Sequence, residues 1–207
     1  NITFIMKKTS VRNYLIEEGL QLKSGEILIS PNIAYETWGN LNKDFSNAVL
    51  VTTGLSPSSH IASNELNIEQ GWWENIIGPN KAIDTNRFFV ICANSLGSCF
   101  GSTGPSSKNP QTNQPYQLLF PRLSIEDIAS SLISLIKHLG INQLQTIVGP
   151  SMGGMTALSI VQQAPEITKE MILISTSASS RPFSIALRSL QRKMITSDPA
   201  WKNGNYD

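Results

Sequence analysis

Gly149, Ser151 and Gly153 occupy alternate positions in TIVGPSMGGMTAL, residues 146–158, and spell G-x-S-x-G. Serine and glycine are ordinary turn formers, so the stretch can be read as a simple chain reversal after a strand. The same spacing is that of a nucleophile elbow, where a strained strand-to-helix turn holds a serine hydroxyl above a sheet. Glycines suit its flanks because the serine takes an unfavourable backbone conformation and neighbouring chain passes close by. Attack of that hydroxyl on a carbonyl creates an oxyanion, which needs hydrogen-bond donors. In an elbow these are the N–H of the next residue, here Met152, and one from a loop after an earlier strand. VLVTTGLSPSSH, residues 49–60, is a loop of that kind and would present an N–H around Gly54 or Leu55; its composition alone would make it a plain surface loop.

The flanks decide between these readings. LQTIV precedes Gly149 as a buried strand, and a helix should run from about Gly153 to Ala164, broken before Pro165. Other strand-like apolar runs lie at Ile27 to Tyr35, Ala48 to Thr52, Phe88 to Ala93 and Met171 to Ser175. In LSIEDIASSLISLIKHLG, Ile125, Ile128, Ala129, Leu132, Ile133, Ile136 and Leu139 recur at intervals of three and four to make one apolar helical face. Ser124, with Asp127 three residues on, suits its N-cap, and Gly140 its end. A third helix is expected from about Pro182 to Ile195. Strands alternating with helices describe an α/β fold with a mostly parallel sheet and helices on both faces.

Composition narrows the function classes. The 207 residues suit one core, and no linker divides them, so a single domain is expected. With 40% hydrophobic and 15% charged residues and a net charge of +1, there is no electrostatic case for nucleic acid or an anionic membrane. No apolar run approaches the ~20 residues that span a bilayer, and the N-terminus lacks a signal peptide's pattern, which reads as cytoplasmic. Cys92 and Cys99 have no second pair and no nearby histidine, so neither a disulfide framework nor a zinc site is expected.

GWWENIIGPNKAIDTNRFFVICANSLGSCFGSTGPSS, GPSMGGMTAL and LRSLQRKMITSDPAW together resemble the homoserine O-acetyltransferase family of α/β-hydrolase-fold acyltransferases. The likeness runs from about Tyr35 to Tyr206. TGLSPSSH and NSLGSCFGSTGP are most similar to the branch of serine or homoserine O-succinyltransferases. The family's usual His-Ala-Leu-Thr-Gly loop is replaced by Thr53, Gly54, Leu55, Ser56 and Pro57, a departure that bears on acceptor and acyl group more than on the reaction. The resemblance implies ping-pong acyl transfer, in which Ser151 takes the acyl group from acetyl-CoA or succinyl-CoA and an L-serine or L-homoserine hydroxyl collects it. It also implies Leu55 and Met152 as backbone oxyanion donors and Gly54, Leu55, Ser56 and Pro57 as the acceptor-pocket loop. Acyl-CoA would be a co-substrate, with no bound cofactor and no metal. Small molecules are the expected partners, and a homodimer stays open. For a succinyl donor, a guanidinium would meet the distal carboxylate; Arg188 is the first candidate, and Arg181 and Arg192 are others, though an arginine at each place is more often a solvated or salt-bridged surface residue.

The chain order of an α/β-hydrolase triad is Ser, then Asp or Glu, then His, yet both histidines, His60 and His138, precede Ser151. His138 ends a helix, where it complements the dipole. His60 matches a family position beside the oxyanion loop and is expected to be structural. Only 56 residues follow the elbow, too few for the lid and last strands of such a fold; the expectation is the N-terminal portion of a longer chain with acid and base elsewhere, inactive on its own. Trp72 and Trp73 read as core packing or a subunit contact, and Met155 as core. Residues 101–116 read as a long loop that the resemblance makes an ordered wall. A serine esterase or thioesterase of the same fold, and a non-catalytic hydrolase-fold domain, are the rival readings.

Overall fold

A computed structural model describes residues 10–205. Within them the elements are β1 (Arg12–Leu15), β2 (Leu20–Gln21), β3 (Ile27–Leu28), β4 (Asn32–Trp38), β5 (Ala48–Thr52), β6 (Ile77–Gly78), β7 (Ile83–Asp84), β8 (Phe89–Ala93), α1 (Ile125–His138), β9 (Leu144–Pro150), α2 (Met152–Gln163), β10 (Thr168–Ile174) and α3 (Pro182–Ser197). Six strands form one sheet in the order β1-β4-β8-β5-β9-β10. β8, β5, β9 and β10 are parallel; β4 pairs antiparallel with β8, and β1 pairs antiparallel with β4 at the edge. The apolar runs at Ala48–Val51 and Val90–Ala93 are unbroken because both faces of these strands are buried.

From β5 the chain crosses to β8 on one side, and from β8 it crosses to β9 on the other. Right-handed crossovers in opposite directions must lie on opposite faces. Accordingly, α1 and α2 pack against Leu50, Ile91 and Ile147, while Ile61, Ala62, Ile77 and the flanking Trp72 and Trp73 pack against Val49, Val51, Val90, Cys92 and Val148. The expected helices on both faces are therefore found on one face among the described residues. The other is closed by residues 59–88, whose turns and short strands satisfy their own backbone. The two indole rings, 4.9 Å apart, are part of that cover, as expected of packing residues.

Local chemistry explains where elements start and stop. Ser124 caps α1 through a full capping box with Asp127, and His138 closes it, its ring stacked 4.1 Å from that of Tyr14. The expected strand from Ile27 to Tyr35 is instead two strands, β3 and β4. Ser30, with a positive φ of 43°, and Pro31, which has no N–H to give a ladder, break it. β1 is an edge strand exposed along most of its length and lacks a clean alternation. Cys92 is buried on β8 and Cys99 exposed, both free thiols.

The irregular cover is held by Glu74. Its carboxylate accepts from the Ser63 N–H at 2.7 Å, the Gly71 N–H at 3.1 Å, the Ser63 hydroxyl at 2.9 Å and the Lys81 ammonium at 3.3 Å. The Ser63 N–H above all holds the Glu74 pKa down to about 2. A carboxylate with a lowered folded-state pKa stabilises fully above its unfolded value of 4.5, and that stabilisation disappears as pH falls toward 2. Glu74→Gln should therefore lower stability at neutral pH and flatten the acid limb between about pH 4.5 and 2 in urea denaturation. An unchanged acid limb would contradict this role.

Candidate active site

Ser151 sits between β9 and α2 with φ 53° and ψ −122°, a conformation costly for any residue with a Cβ, by about 1–3 kcal/mol. Neighbours hold it there. Its N–H donates to Ile174 O on β10 at 2.9 Å, and its carbonyl accepts from the Gly154 N–H at 3.0 Å and the Thr176 hydroxyl at 2.6 Å. The motif glycines are close-approach positions: a Cβ at Gly149 would lie 2.7 Å from Gly154 Cα, and one at Gly153 would collide with Thr52 O. The Thr52 hydroxyl ties the end of β5 to the elbow, 2.8 Å from Gly153 O and 3.3 Å from Val148 O. The Ser151 residue is exposed at the tip of this turn.

The loop expected to face it does so. Gly54 is buried, and a Cβ there would lie 3.9 Å from Pro150 O, the residue before the serine. Thr53 is anchored by its hydroxyl, 3.0 Å from Ser95 Oγ. Beyond Gly54, Leu55 and Ser56 are exposed and Pro57 half-buried. The Met152 N–H opens α2, where the first-turn N–H groups lack helical partners. Neither it nor the Leu55 N–H donates to another described residue. Both segments leave the carboxyl ends of adjacent parallel strands, β5 and β9, whose onward connections go opposite ways. That is the topological switch point, where α/β sheets open a crevice for ligands. Two surface clefts, one lined by Phe45, Gly140 and Lys169 and one by Ile141, Pro165 and Glu166, lie at the opposite end of the strands.

Other expected site residues are not gathered here. Arg188 is exposed on α3 and bonds Gln191 of its own helix at 3.0 Å; Arg192 leans on Ser189, and Arg181 stands at the start of α3. α3 rests on Pro199–Gly204 and buries none of its side chains. Among the described residues, no side chain hydrogen-bonds the Ser151 hydroxyl. His138 lies at the far end of the sheet. His60 bonds elsewhere, with Nδ1 3.0 Å from Glu36 Oε2 on β4 and Nε2 2.9 Å from Glu69 O.

Several residues essential to this arrangement had escaped sequence reasoning. Glu36, 1% exposed and the one charged residue of β4, is the one with a sequence signal: a lone carboxylate in NIAYETW must have a buried partner. Asn94 accepts from the Ser59 N–H at 2.5 Å, and Thr176 reaches the elbow, with nothing local to mark either. Within the loop expected at residues 101–116, the Ser102 hydroxyl donates to Asn94 O at 2.7 Å and accepts from the Ala34 N–H at 3.0 Å, the Thr103 N–H bonds Asn32 O, and the Tyr116 N–H bonds Ser107 O.

A crossover sheet with a strained serine at its switch point defines the α/β-hydrolase class. The profile of the alpha/beta hydrolase fold family matches residues 47–207, and the chain belongs to that family. It is similar to serine O-succinyltransferase of Stenotrophomonas maltophilia strain K279a, 54% identical over 95% of this chain and 53% of that protein. It is likewise similar to that of Xanthomonas campestris pv. campestris strain B100, 53% identical over 96% of this chain and 52% of the relative. Among solved structures it resembles homoserine O-acetyltransferase from Bacillus anthracis, with TM-score 0.87, 34% identity and coverage of 96% and 56%. Esterase E22 is similar too, with TM-score 0.86, 34% identity and coverage of 95% and 55%. The chain spans about half the length of the curated relatives it matches.

Because the strain at Ser151 comes from its Cβ, relieving it should outweigh the ~0.5–1 kcal/mol that a glycine's chain entropy costs. Ser151→Gly should be more stable than Ser151→Ala by about 1 kcal/mol in chemical denaturation of the full chain. A glycine variant less stable than the alanine variant would show that the turn is unstrained.

Proposed function

We propose that the full protein is a CoA-dependent O-acyltransferase that moves a succinyl or acetyl group from its CoA thioester to the hydroxyl of L-serine or L-homoserine. The observation that carries this is the exposed, positive-φ Ser151 facing the Gly54–Leu55 loop across the switch point. The relatives named serine O-succinyltransferase support the choice of chemistry.

In this reading, the Ser151 Oγ attacks the thioester carbon, and the negative charge on the carbonyl oxygen is met by the Met152 and Leu55 N–H groups. The carbon–sulfur bond then breaks, and CoA leaves as the thiol with the proton that the serine lost. The acceptor hydroxyl attacks the resulting ester, passes its proton back to the serine oxygen and departs with the acyl group. Gly54, Leu55, Ser56 and Pro57 line the acceptor side. Arg188, exposed on α3, is the candidate guanidinium for the distal carboxylate of a succinyl donor by residue type, since a planar fork meets a carboxylate with two hydrogen bonds. Neither His60 nor His138 hydrogen-bonds Ser151, so in this reading neither is the base that takes its proton. No step calls for a metal or bound cofactor, and the expected partners are small molecules.

A hydrolytic reading is favoured by one observation, the likeness to esterase E22. The two separate cleanly. The full protein supplied with succinyl-CoA or acetyl-CoA should release CoA at a rate that rises with L-serine or L-homoserine, with the O-acylated amino acid identified by mass spectrometry. Ser151→Ala should lower turnover by roughly 10⁴-fold or more. CoA release indifferent to the amino acid would identify a hydrolase.

A further inference from the structure

The imidazole of His60 has an acceptor on each ring nitrogen: the Glu36 carboxylate on Nδ1 and the Glu69 carbonyl on Nε2. A carbonyl oxygen can only accept, so Nε2 carries a proton. A neutral ring has one N–H, which would leave a bare lone pair on Nδ1 facing a carboxylate. Glu36 in turn receives the Asn64 amide at 3.2 Å and the Ser59 hydroxyl at 3.4 Å, donors that suit an ionised carboxylate. The pairing is nearly dry, with side-chain exposures of 14% for His60 and 1% for Glu36. We propose that His60 and Glu36 form an imidazolium–carboxylate clasp that fixes the far end of the Thr53–Ser59 loop, making His60 a positioning residue for the serine elbow.

The geometry gives the clasp this leverage. At its near end the loop is held by the Thr53 hydroxyl on Ser95. At its far end the Ser59 N–H binds Asn94, Trp72 Nε1 donates to Ser58 O at 2.9 Å, and His60 follows directly. Asn94 and Ser95 both follow β8, so both ends rest on one strand terminus, while Gly54 to Pro57 span the gap toward Pro150 and the serine. Hydrogen bonds hold every anchor, and only His60 adds a charge pair. The titratable groups that face the clasp are Glu36 on β4, Glu69 on its own segment and the buried Cys92 thiol, register partner of Glu36 on β8. Burial lowers the His60 pKa, but the Glu69 carbonyl and Glu36 carboxylate together outweigh it and leave it above 6.5. A histidine with a raised folded-state pKa stabilises fully below its unfolded value, and that contribution is lost as pH rises through the folded value. The clasp should thus open on the alkaline side.

This inference rests on the transferase reading only for what the loop does in catalysis; the clasp itself is tested without any substrate. In the full protein the His60 imidazole is identified as the resonance that a His60→Gln variant lacks, and it is followed by NMR titration. His60 should titrate above 6.5 with both nitrogens protonated below that point. Amide exchange at residues 54–60 should accelerate by tenfold or more across the titration, beyond the intrinsic pH dependence that β9 amides report. Glu36→Gln should abolish this response and, in the full enzyme, lower kcat by roughly ten- to a hundredfold with a smaller change in the KM for acyl-CoA. Titration at or below 6.5, or loop exchange that tracks β9 throughout, overturns the clasp, and both readouts come from a chain that retains Glu36. If the clasp titrates as expected while no acyl transfer occurs, the proposed reaction fails and the clasp stands.

Discussion

The conformation of one residue constrains everything around it. Ser151 is held at positive φ, and that conformation persists only because the chain on each side has no freedom to relax. Its N–H is committed to β10 and its carbonyl to Thr176 and the first turn of α2. Strand and helix meet so closely that positions 149, 153 and 154 admit no side chain. The strain and the tight packing are two sides of one arrangement: the same turn that lifts the hydroxyl into the open puts the N-terminus of α2 directly beneath it. Those helical N–H groups carry the partial positive charge that a developing oxyanion requires.

Sheet topology supplies the second half. The sheet order places β5 beside β9 and sends the connections from the two strands in opposite directions, so the Thr53–Ser59 loop and the elbow leave neighbouring strand ends without a crossover between them. Thr52 makes that adjacency rigid by bonding across it to Gly153. On one face, packing of α1 and α2 on Leu50, Ile91 and Ile147 keeps the sheet in place; on the other, the Glu74-centred cover seals Trp38 and Cys92. Each layer therefore contributes to the distance between one loop and one turn.

What the amino-acid order disclosed follows from how local each signal is. The elbow, the apolar face of α1 and its Ser124–Asp127 cap are written within a few consecutive residues, and each is found where it was expected. The run from Ile27 to Tyr35 misled because hydrophobicity continues through Ser30 and Pro31 while the backbone turns. β1 was invisible because an exposed edge strand needs no alternation. Thr52, Asn94 and Thr176 matter through partners far along the chain, 101 residues in the case of Thr52 and Gly153, and no spacing rule reaches that far. Arg188 illustrates the opposite limit: a residue type suited to a succinyl carboxylate sits on an exposed helix that buries none of its side chains.

The central claim is that a carbonyl oxygen bonded to Ser151 would lie between two main-chain donors. A crystal structure of the full protein inactivated by a serine-directed phosphonate tests this most directly. The account predicts phosphorus on Ser151 Oγ, with the phosphoryl oxygen at hydrogen-bond distance from both the Met152 and Leu55 nitrogens. Modification of a different residue, or a phosphoryl oxygen turned to solvent with neither amide in reach, would contradict it.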